Sequence, residues 1–481
     1  MAERASLETA EDVQEAKASA RRVIEGLEGL SGAEVQRLNA EYVLLPWLRQ
    51  GGNPLPVKEA RGIYFWDYDG NRYADMSSLL VCSNLGHQDP EITEALKLQA
   101  DRLCFTAPAY ATAAKGVLAK KLVDLAGADT YQRVFFTLGG SDSNENAIEI
   151  ARFYTGRPKI LSCYRSYHGS TLGSSFASGD WRRFAYEIGG SAPSFLHFMN
   201  PNMYEDGYVR GVDDERVTAD YLRRLEEQLI YEGPDSFAAI LMESIVGANG
   251  VILPPKGYME GVRALCDTYG ILLICDEVMA GFYRTGKAFA WQNYDIKPDI
   301  ISFAKGVTCG YVPLGGDIVS KPIADFFIDH PLPCGLTYSG HTLACATGVA
   351  VLDYYERHQV GEHVKAMEGV LKPHLEGLVR RHPSVGEARC LGLFSALTLV
   401  RDKETRELMA PYHAKDSDVQ KVIAELKRRG FSTFGRESNL NVCPPLTITE
   451  DELNEWLPVL DDVLTWADER FTSAAKGGDR A

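Results

Sequence analysis

The sequence predicts an α/β protein, with a large domain on a mostly parallel, doubly wound sheet and a smaller α+β domain. Short runs that are apolar throughout alternate with helical stretches between about residues 90 and 342, as in parallel strands covered by helices on both faces. After residue 342 the helices lengthen and alternate with strand-like stretches. The length of 481 residues is enough for two or three domains.

Four segments follow from this pattern. Residues 1–40 are a predicted helical lead-in that GLEGLSG interrupts. Residues 41–78 are assigned to the N-terminal part of the small domain, and the letters DG in GIYFWDYDGNRYADM predict a hairpin there. Residues 79–342 are the predicted large cofactor-binding domain, and residues 343–481 complete the small domain. The predicted strands of the large domain are RVFFTL, KILSC, FAAILMES, ILLICDEV and DIISFAKG.

Charge and composition exclude several classes of function. Acidic residues outnumber basic ones by 66 to 50, so the formal charge is −16, which repels both nucleic acid and an anionic membrane surface. No apolar stretch is long enough to cross a bilayer, and the first residues do not resemble a signal peptide. The ten cysteines form no C-x-x-C pair, so no metal site is predicted. We therefore expect a cytoplasmic protein.

Two charged side chains follow buried strands. Lys305 ends the run DIISFAK, and a desolvated amine at that edge of a sheet can attack a carbonyl group. Asp276 follows five apolar residues, so its carboxylate needs a cation or several donors, and a protonated pyridine nitrogen is one such cation. Each also has a plain structural explanation, since a lysine stem can pack while its head reaches solvent, and an aspartate can cap a loop.

Two further motifs follow neighbouring strands. Gly139, Gly140 and Ser141 open a helix, where backbone amides can hold a phosphate, although the pattern equally fits a helix capped by Ser141 or Asp142. Tyr167, in the triplet YHG, can stack on a planar ring or simply pack at the rim of a core. The order of the four motifs is more informative than any one of them. Together they supply the phosphate site, ring platform, pyridinium partner and amine that pyridoxal 5′-phosphate requires.

The sequence closely resembles the class III pyridoxal-phosphate-dependent aminotransferases of fold type I, especially the amine or omega-transaminases. The resemblance covers roughly residues 42–471. Its most specific stretch is LLICDEVMAGFYRTGKAFAWQNYDIKPDIISFAKGVTCGYVPLGG, and GGSDSNENAIEIAR, YHGSTLGS, GVILPPKGY and LTYSGHTLACA also match.

The resemblance implies a role for each matching residue. Lys305 forms the Schiff base with the cofactor, and Asp276 keeps the pyridine nitrogen protonated. Tyr167 and Val278 lie on the two faces of the ring. The remaining implied cofactor-binding residues are Gly140 and Ser141 at the phosphate, His168 beside Tyr167, Glu243 in LMESIVGANG, and Thr337, which reaches the phosphate of the neighbouring subunit's cofactor. A homodimer with shared active sites is thereby implied, and it can pair further into a dimer of dimers.

The implied reaction moves an amino group from a primary amine or omega-amino acid to a keto acid, with pyruvate as the expected acceptor and ping-pong kinetics. Three residues are predicted to contact the substrate, and two of them, Val81 and Arg436, depart from the family pattern. Val81 stands where relatives often carry a tryptophan, and Trp47 can refill that space. Arg436 lies two residues beyond the register of the family's carboxylate-binding arginine, so it can bind the acceptor or lie at the surface.

Several alternatives stay open from the sequence. A taurine- or β-alanine-type amino acid:pyruvate aminotransferase is the nearest. An aminomutase, which needs no external acceptor, and a non-catalytic scaffold are further ones, although a scaffold does not need a buried lysine. Val246 replaces a glutamine of the ornithine and 4-aminobutyrate branches and so argues mildly against them.

Overall fold

The computed structural model describes residues 10–47, 50–187, 194–414 and 417–473. The chain divides into two compact units, the first made of Met1–Ala60 with Tyr64–Tyr73 and the second of Arg61–Ile63 with Ala74–Ala481. The boundaries that we inferred from the sequence, after residues 40, 78 and 342, stay predictions. None of the described helices is both long and apolar enough to cross a membrane.

The elements alternate along most of the chain. The helices are α1 (Ala10–Glu28), α2 (Gly32–Tyr42), α3 (Ser78–Val81), α4 (Pro90–Ala100), α5 (Ala113–Ala126), α6 (Gly140–Thr155), α7 (Leu172–Ala177), α8 (Asp214–Glu232), α9 (Tyr258–Tyr269), α10 (Lys321–Asp329), α11 (Thr342–Arg357), α12 (Val360–Arg381), α13 (Asp418–Arg428) and α14 (Glu450–Phe471). The strands are β1 (Val57–Arg61), β2 (Tyr64–Asp67), β3 (Arg72–Asp75), β4 (Tyr131–Thr137), β5 (Lys159–Cys163), β6 (Phe195–Phe198), β7 (Phe237–Glu243), β8 (Leu272–Asp276), β9 (Ile300–Phe303), β10 (Gly315–Ser320), β11 (Val385–Leu391), β12 (Phe394–Asp402), β13 (Glu407–Leu408), β14 (Phe431–Ser432), β15 (Gly435–Arg436) and β16 (Asn439–Asn441).

The first unit contains residues 10–40 of the predicted helical lead-in and the predicted hairpin, while residues 1–9 of the lead-in lie outside the described residues. Ser31 begins α2 with a capping box, in which its hydroxyl accepts from the amide of Glu34 and the Glu34 carboxylate accepts from the amide of Ser31. The hairpin turn between β2 and β3 is closed by the carboxylate of Asp67, which accepts from the amides of Asp69 and Asn71 at 3.0 and 2.9 Å. Hydrogen bonds from side chains to nearby backbone amides therefore define both the start of α2 and the hairpin turn.

A seven-stranded sheet forms the centre of the second unit. Its order is β4-β10-β9-β8-β7-β5-β6, and the pairs from β9 through β6 are parallel. All five strands that we predicted from apolar runs belong to it. Helix α6 packs on one face through a fully buried apolar cluster that includes Ala147, Ile148 and Ala151. Because parallel strands end at one edge, the residues after β4, β5, β7, β8 and β9 are brought together.

Strand β10 was not predicted. It pairs antiparallel with both β4 and β9, and its sequence GGDIVS begins with two glycines and contains an aspartate. Both glycines are required by close packing, since a Cβ at Gly315 would lie 2.7 Å from the Ser143 hydroxyl and one at Gly316 would lie 2.5 Å from the carbonyl oxygen of Phe135. Such a strand lacks the apolar run that identified its neighbours.

A second, antiparallel sheet has the order β11-β12-β16-β15, and β13 extends it beside β12. Helices α12 and α14 pack in the same part of the unit, and their residues Leu371, Leu375, Leu460 and Leu464 are fully buried. This arrangement agrees with the strands and long helices that the sequence predicts after residue 342. It places Arg436, in β15, on a framework of strands rather than in a free loop.

Element α3 is a left-handed turn. Four consecutive residues that are not glycine, Ser78 through Val81, have φ values between 42° and 66°, a conformation that costs roughly 1–2 kcal/mol per residue. Tertiary contacts hold the turn, since the Ser78 hydroxyl donates to the carbonyl of Cys443 at 2.7 Å and the amide of Leu79 donates to Asp75 at 3.0 Å.

Glycine at position 80 is expected to be tolerated far better than glycine in a right-handed helix. Leu80 is 48% exposed, so Leu80→Gly loses part of a leucine's burial but removes the steric cost of a positive φ, and the free energy of unfolding should change by less than about 0.5 kcal/mol. Denaturant unfolding measures the change. Leu98→Gly, at an exposed position of right-handed α4, is the matched control and should lower stability by about 1 kcal/mol. Equal losses in both variants would contradict the left-handed conformation.

Candidate active site

Asp276 lies at the end of β8 in a network of donors. It is 4% exposed; its Oδ2 accepts from the Asn144 side-chain amide at 2.7 Å and lies 2.8 Å from Nδ1 of His168, and its Oδ1 accepts from the amide of Val278 at 3.0 Å. The Asn144 amide also donates to the carbonyl of His168 at 2.8 Å. Three donors hold the carboxylate in one orientation, which is the arrangement expected of a buried charge that serves a ligand.

Lys305 follows β9 and opens a single 3₁₀ turn, Lys305–Val307, with a positive φ of 47°. Burial lowers the pKa of its amine, while nearby Cys82, Asp276 and Glu243 oppose that shift. The result is an amine with a larger neutral fraction near pH 7 than an ordinary lysine has, held in a strained conformation of the kind that clusters at functional sites. The hydroxyl of Tyr355 donates to the carbonyl of Gly306, which follows Lys305, at 2.8 Å and so holds the turn in place.

Two buried glutamates flank Asp276 but have different surroundings. Glu243, at the end of β7, accepts from the amides of Tyr167 and Gly247 at 3.1 and 2.7 Å, and burial together with Asp276 raises its pKa to about 7. Glu277 faces the other way, as its sequence position predicts, and accepts from the Ser244 hydroxyl and the amides of Ala290 and Trp291 at 2.5, 2.7 and 2.9 Å. Glu243 thus joins the site and Glu277 braces the fold behind it.

The predicted phosphate site, residues Gly139, Gly140 and Ser141, is called the glycine cup and lies where β4 meets α6. The helix begins at Gly140, directly after Gly139, and Gly139 offers no side-chain cap. The alternative of Ser141 or Asp142 as N-cap is therefore wrong. Their side chains are used elsewhere, since the Ser141 hydroxyl accepts from the amide of Ser170 at 3.1 Å and the Asp142 carboxylate accepts from the amide of Leu138 at 3.3 Å.

Close packing explains the glycine at position 140. A Cβ there would lie 2.8 Å from Cγ1 of Val278, so Val278 packs directly against the start of α6. Likewise a Cβ at Gly169, whose φ is 142°, would lie 2.6 Å from the Ser141 hydroxyl. The cup, Val278 and the YHG loop therefore form one compact surface, on which the first amides of α6 are suited to an anion.

Arg182 is a residue of this region that the sequence did not bring to attention. Its guanidinium lies 3.4 Å from the centre of the Tyr167 ring. Asp180, which is fully buried, holds it: one carboxylate oxygen accepts from the amide and Nε of Arg182 at 3.0 and 3.1 Å, and the other accepts from Nε at 2.9 Å and from Nη2. The side chain is thus fixed before any ligand binds. The letters DWRRF carry no spacing that distinguishes such an arginine from a surface one.

Arg436 lies in the same region. Its guanidinium is 5.8 Å from the centre of the Trp181 ring, and burial and the charge of Arg182 lower its pKa, while Asp180, Glu437 and Tyr167 act in the opposite direction. Of the two interpretations that the sequence left open, the half-buried position beside Arg182 favours a ligand-binding arginine over a surface one. Two guanidinium groups therefore lie near Tyr167, and each has a carboxylate close to it, Asp180 for Arg182 and Glu437 for Arg436.

Three other predicted substrate and cofactor residues make no hydrogen bond to Asp276 among the contacts described above. Val81 is 1% exposed and packs in an apolar cluster with Ile245 and Phe394. Thr337 is exposed in the connection between α10 and α11. Trp47 belongs to the first unit, where it is 58% exposed. The roles of Val81, Trp47 and Thr337 toward substrate or cofactor stay predictions.

The residues at this edge of the sheet fit pyridoxal 5′-phosphate. Helix α6 offers backbone amides for the phosphate, Asp276 offers an oriented carboxylate for the pyridine nitrogen, and Lys305 offers an amine with a lowered pKa for the aldehyde. In addition, Nε2 of His168 is buried without a hydrogen-bond partner among the described residues. None of the described residues forms a group of three or more potential metal-binding side chains.

Comparison with known proteins agrees with this geometry. The family model for class III aminotransferases matches residues 48–464. Among curated proteins, a γ-aminobutyrate transaminase 1 of Oryza sativa is 33% identical over 437 residues, which cover 88% of this chain and 84% of that protein. A taurine–pyruvate aminotransferase of Bilophila wadsworthia is 30% identical over 464 residues, which cover 91% of this chain and 98% of that protein.

Solved structures are similar over almost their whole length. A taurine:2-oxoglutarate aminotransferase from Bifidobacterium kashiwanohense, in complex with PLP and glutamate, is 71% identical with a TM-score of 0.91 and covers 92% of this chain and 99% of its own. An (S)-enantioselective omega-transaminase from Thermomicrobium roseum is 34% identical with a TM-score of 0.82, and the match covers 91% and 98% of the two chains.

Proposed function

We propose that this chain, which belongs to the class III aminotransferases, transfers an amino group to 2-oxoglutarate. The proposed donor is an omega-amino acid that carries an anionic group, and taurine is the first candidate. The family, the α/β fold and the use of PLP that we inferred from the sequence are confirmed by the family match and the solved relatives. PLP, when bound, withdraws electrons from the carbon that carries the amino group.

The observation that carries the proposal is the pair of arginines beside Tyr167. A sulfonate or carboxylate needs a cation with several donors, and a guanidinium that is held in advance loses little entropy when it binds such a group. Arg182 is held by the buried carboxylate of Asp180, and the pKa of Arg436 is lowered by burial and, next, by the nearby charge of Arg182. Amines without an anionic group would gain nothing from this pair.

The residues around the reacting carbon have distinct tasks. The amine of Lys305 would hold the cofactor through its aldehyde group and, when free, would act as the general base and acid that moves a proton at the carbon bearing the amino group. Asp276 keeps the pyridine nitrogen protonated, and the donors Asn144 and His168 keep Asp276 oriented. The amides at the start of α6 hold the phosphate. The donor leaves as an aldehyde or ketone before the acceptor binds, so we propose ping-pong kinetics.

The acceptor is proposed from the similar proteins. The relative at 71% identity is named for 2-oxoglutarate, and the one at 30% identity is named for pyruvate. The greater similarity supports 2-oxoglutarate in place of the pyruvate that we inferred from the sequence, and pyruvate is the second candidate. We also propose a homodimer with shared sites, in which Thr337 serves the partner's cofactor, and a cytoplasmic location.

A matched screen tests the proposal. The donors are taurine, β-alanine, 4-aminobutyrate and 1-phenylethylamine, each with 2-oxoglutarate or pyruvate, and kcat/KM is the measurement. We expect taurine with 2-oxoglutarate to be at least about tenfold better than 1-phenylethylamine, which lacks an anionic group, as one charge-assisted contact implies. A preference for 1-phenylethylamine would contradict the proposed donor. Spectral change of the cofactor with donor alone tests the half-reaction and separates a transaminase from an aminomutase.

A further inference from the structure

A second aspartate lies deep in the same sheet. Asp317, in the middle of β10, is completely buried, and neither of its carboxyl oxygens has a hydrogen-bond partner among the described residues. Buried carboxyl groups are almost always paired or hydrogen-bonded, because an isolated charge is costly in a dry interior. The reaction proposed above assigns no task to this residue, so its presence in the core needs another explanation.

Strand register places Asp317 in line with Asp276. Asp317 is directly opposite Ser302 in the antiparallel pair of β10 and β9, and Ser302 is directly opposite Asp276 in the parallel pair of β9 and β8. Directly opposed residues point to the same face, with Cβ atoms about 5 Å apart. The three side chains therefore form one row beneath α6, and the hydroxyl of Ser302 is itself buried without a partner.

The two carboxyl groups of the row have opposite surroundings. Asp276 receives hydrogen bonds from three donors and is suited to a negative charge. Asp317 receives none, and burial, followed by the charge of Asp276, raises its pKa well above the ordinary value. A pair of carboxyl groups whose environments differ in this way separates into one ionised member and one neutral member.

Charged groups on the helix above do not alter this conclusion. On α6, the Asp142 carboxylate accepts from the amide of Leu138, Glu145 accepts from the amides that begin α7, and Glu149 pairs with Arg152 at 3.0 Å. Each of these acids has partners of its own, and Asp276 is the charged neighbour that acts on Asp317. The thiol of Cys334, whose pKa is raised by burial and then by the charges of Asp317 and Glu149, is a further titratable neighbour.

We propose that Asp317 is a positioning residue, a carboxylic acid that keeps its proton and donates a hydrogen bond through Ser302 to Asp276. The chain runs in one direction: the Asp317 O–H donates to Oγ of Ser302, and the Ser302 O–H donates to a carboxylate oxygen of Asp276. The described residues show neither bond in their present rotamers, and each requires a change of side-chain rotamer between residues whose Cβ atoms are about 5 Å apart. The added donor moderates the basicity of Asp276 and hence its hold on the proton of the pyridine nitrogen.

The test compares Asp317→Asn with Asp317→Val in the PLP-loaded enzyme without substrate. The readout is the pH midpoint of the change in the cofactor's visible absorption. Asparagine can still donate to Ser302, so Asp317→Asn should keep the wild-type midpoint. Valine cannot donate, so Asp317→Val should shift the midpoint by about half a pH unit or more, as expected for one lost hydrogen bond of about 1 kcal/mol.

Ile318→Val is the matched control. It alters the next residue of β10, which is also fully buried, while it leaves the row intact, so its midpoint should not move. Equal shifts in the asparagine and valine variants would overturn the proposal, because they would show that Asp317 acts as an ion. Unchanged midpoints in both, with lowered thermal stability alone, would also overturn it, since they would assign Asp317 a purely structural role.

The proposal rests on the role proposed for Asp276, and one further variant separates the two. Asp276→Asn should loosen cofactor binding, measured as release of PLP during dilution, and should abolish the titration difference between the Asp317 variants. If Asp276→Asn retains both the cofactor and the wild-type titration, the role of Asp276 fails and the proposal fails with it. The identity of the amino donor affects none of these measurements.

Discussion

Replacement of Lys305 by alanine is expected to lower kcat for transamination by at least about 10³-fold, because the variant loses both the amine that attaches to the cofactor and the group that moves the proton. Borohydride treatment of the wild-type enzyme should attach the cofactor permanently to the peptide that contains Lys305, and the same treatment should label no peptide of Lys305→Ala. The lowered pKa of this amine, which follows mainly from burial, increases the neutral, reactive fraction near pH 7.

Lys321→Ala is the matched control for this experiment. Lys321 also directly follows a strand of the large sheet, β10, but it is exposed, so its loss should leave turnover and labelling unchanged. Turnover of amine by Lys305→Ala at more than about a tenth of the wild-type rate would contradict the assignment of Lys305, whichever donor is used.

Removal of the Arg182 charge is expected to change substrate preference more than activity in general. In Arg182→Gln, kcat/KM for taurine should fall by about 10- to 100-fold, the value expected when a charge-assisted hydrogen bond is lost. The value for 1-phenylethylamine, which carries no anionic group, should change by less than about threefold. Steady-state kinetics with a fixed, saturating acceptor measures both.

Two further variants separate a loss of taurine recognition from a loss of stability and from a general effect of removing an arginine. Arg182→Gln leaves the buried carboxylate of Asp180 without its cation, which is itself destabilising, so the double variant with Asp180→Asn should regain stability but not taurine activity. Arg183→Gln alters the neighbouring arginine, which pairs with Glu187 at 3.0 Å, and should leave the preference unchanged. Equal loss of activity toward taurine and 1-phenylethylamine in Arg182→Gln would contradict recognition of the anionic group.

Much of this fold could be predicted from the sequence because the signals are local. Apolar runs of five to eight residues identify strands, and all five that we named belong to the large sheet, where four pair in parallel and the edge strand β4 pairs antiparallel with β10. The motifs after them meet at one edge because parallel strands share a direction. The contact of Asp276 with Asn144 and His168, which lie far from it in sequence, follows from that geometry.

The residues that escaped prediction depend on contacts between distant parts of the chain. Arg182 matters because Asp180 and Tyr167 hold it, and no spacing in the sequence records that arrangement. Strand β10 has neither an apolar run nor alternation, since neighbouring strands and helices dictate its glycines and its aspartate. The N-cap prediction at Ser141 was wrong because the loop after β5 uses that hydroxyl.

The left-handed turn Ser78–Val81 can be stabilised only late in the synthesis of the chain. The Ser78 hydroxyl donates to the carbonyl of Cys443, 365 residues later in the chain, and Ala74 and Asp75 pair with Phe431 and Ser432. At about 5–20 residues per second, the ribosome needs roughly 20–70 seconds to deliver those partners. Until then the left-handed conformation, which is unfavourable by itself, lacks the contacts that stabilise it. Residues 74–81 therefore stay unfolded and accessible to chaperones and proteases until nearly the whole chain has been made.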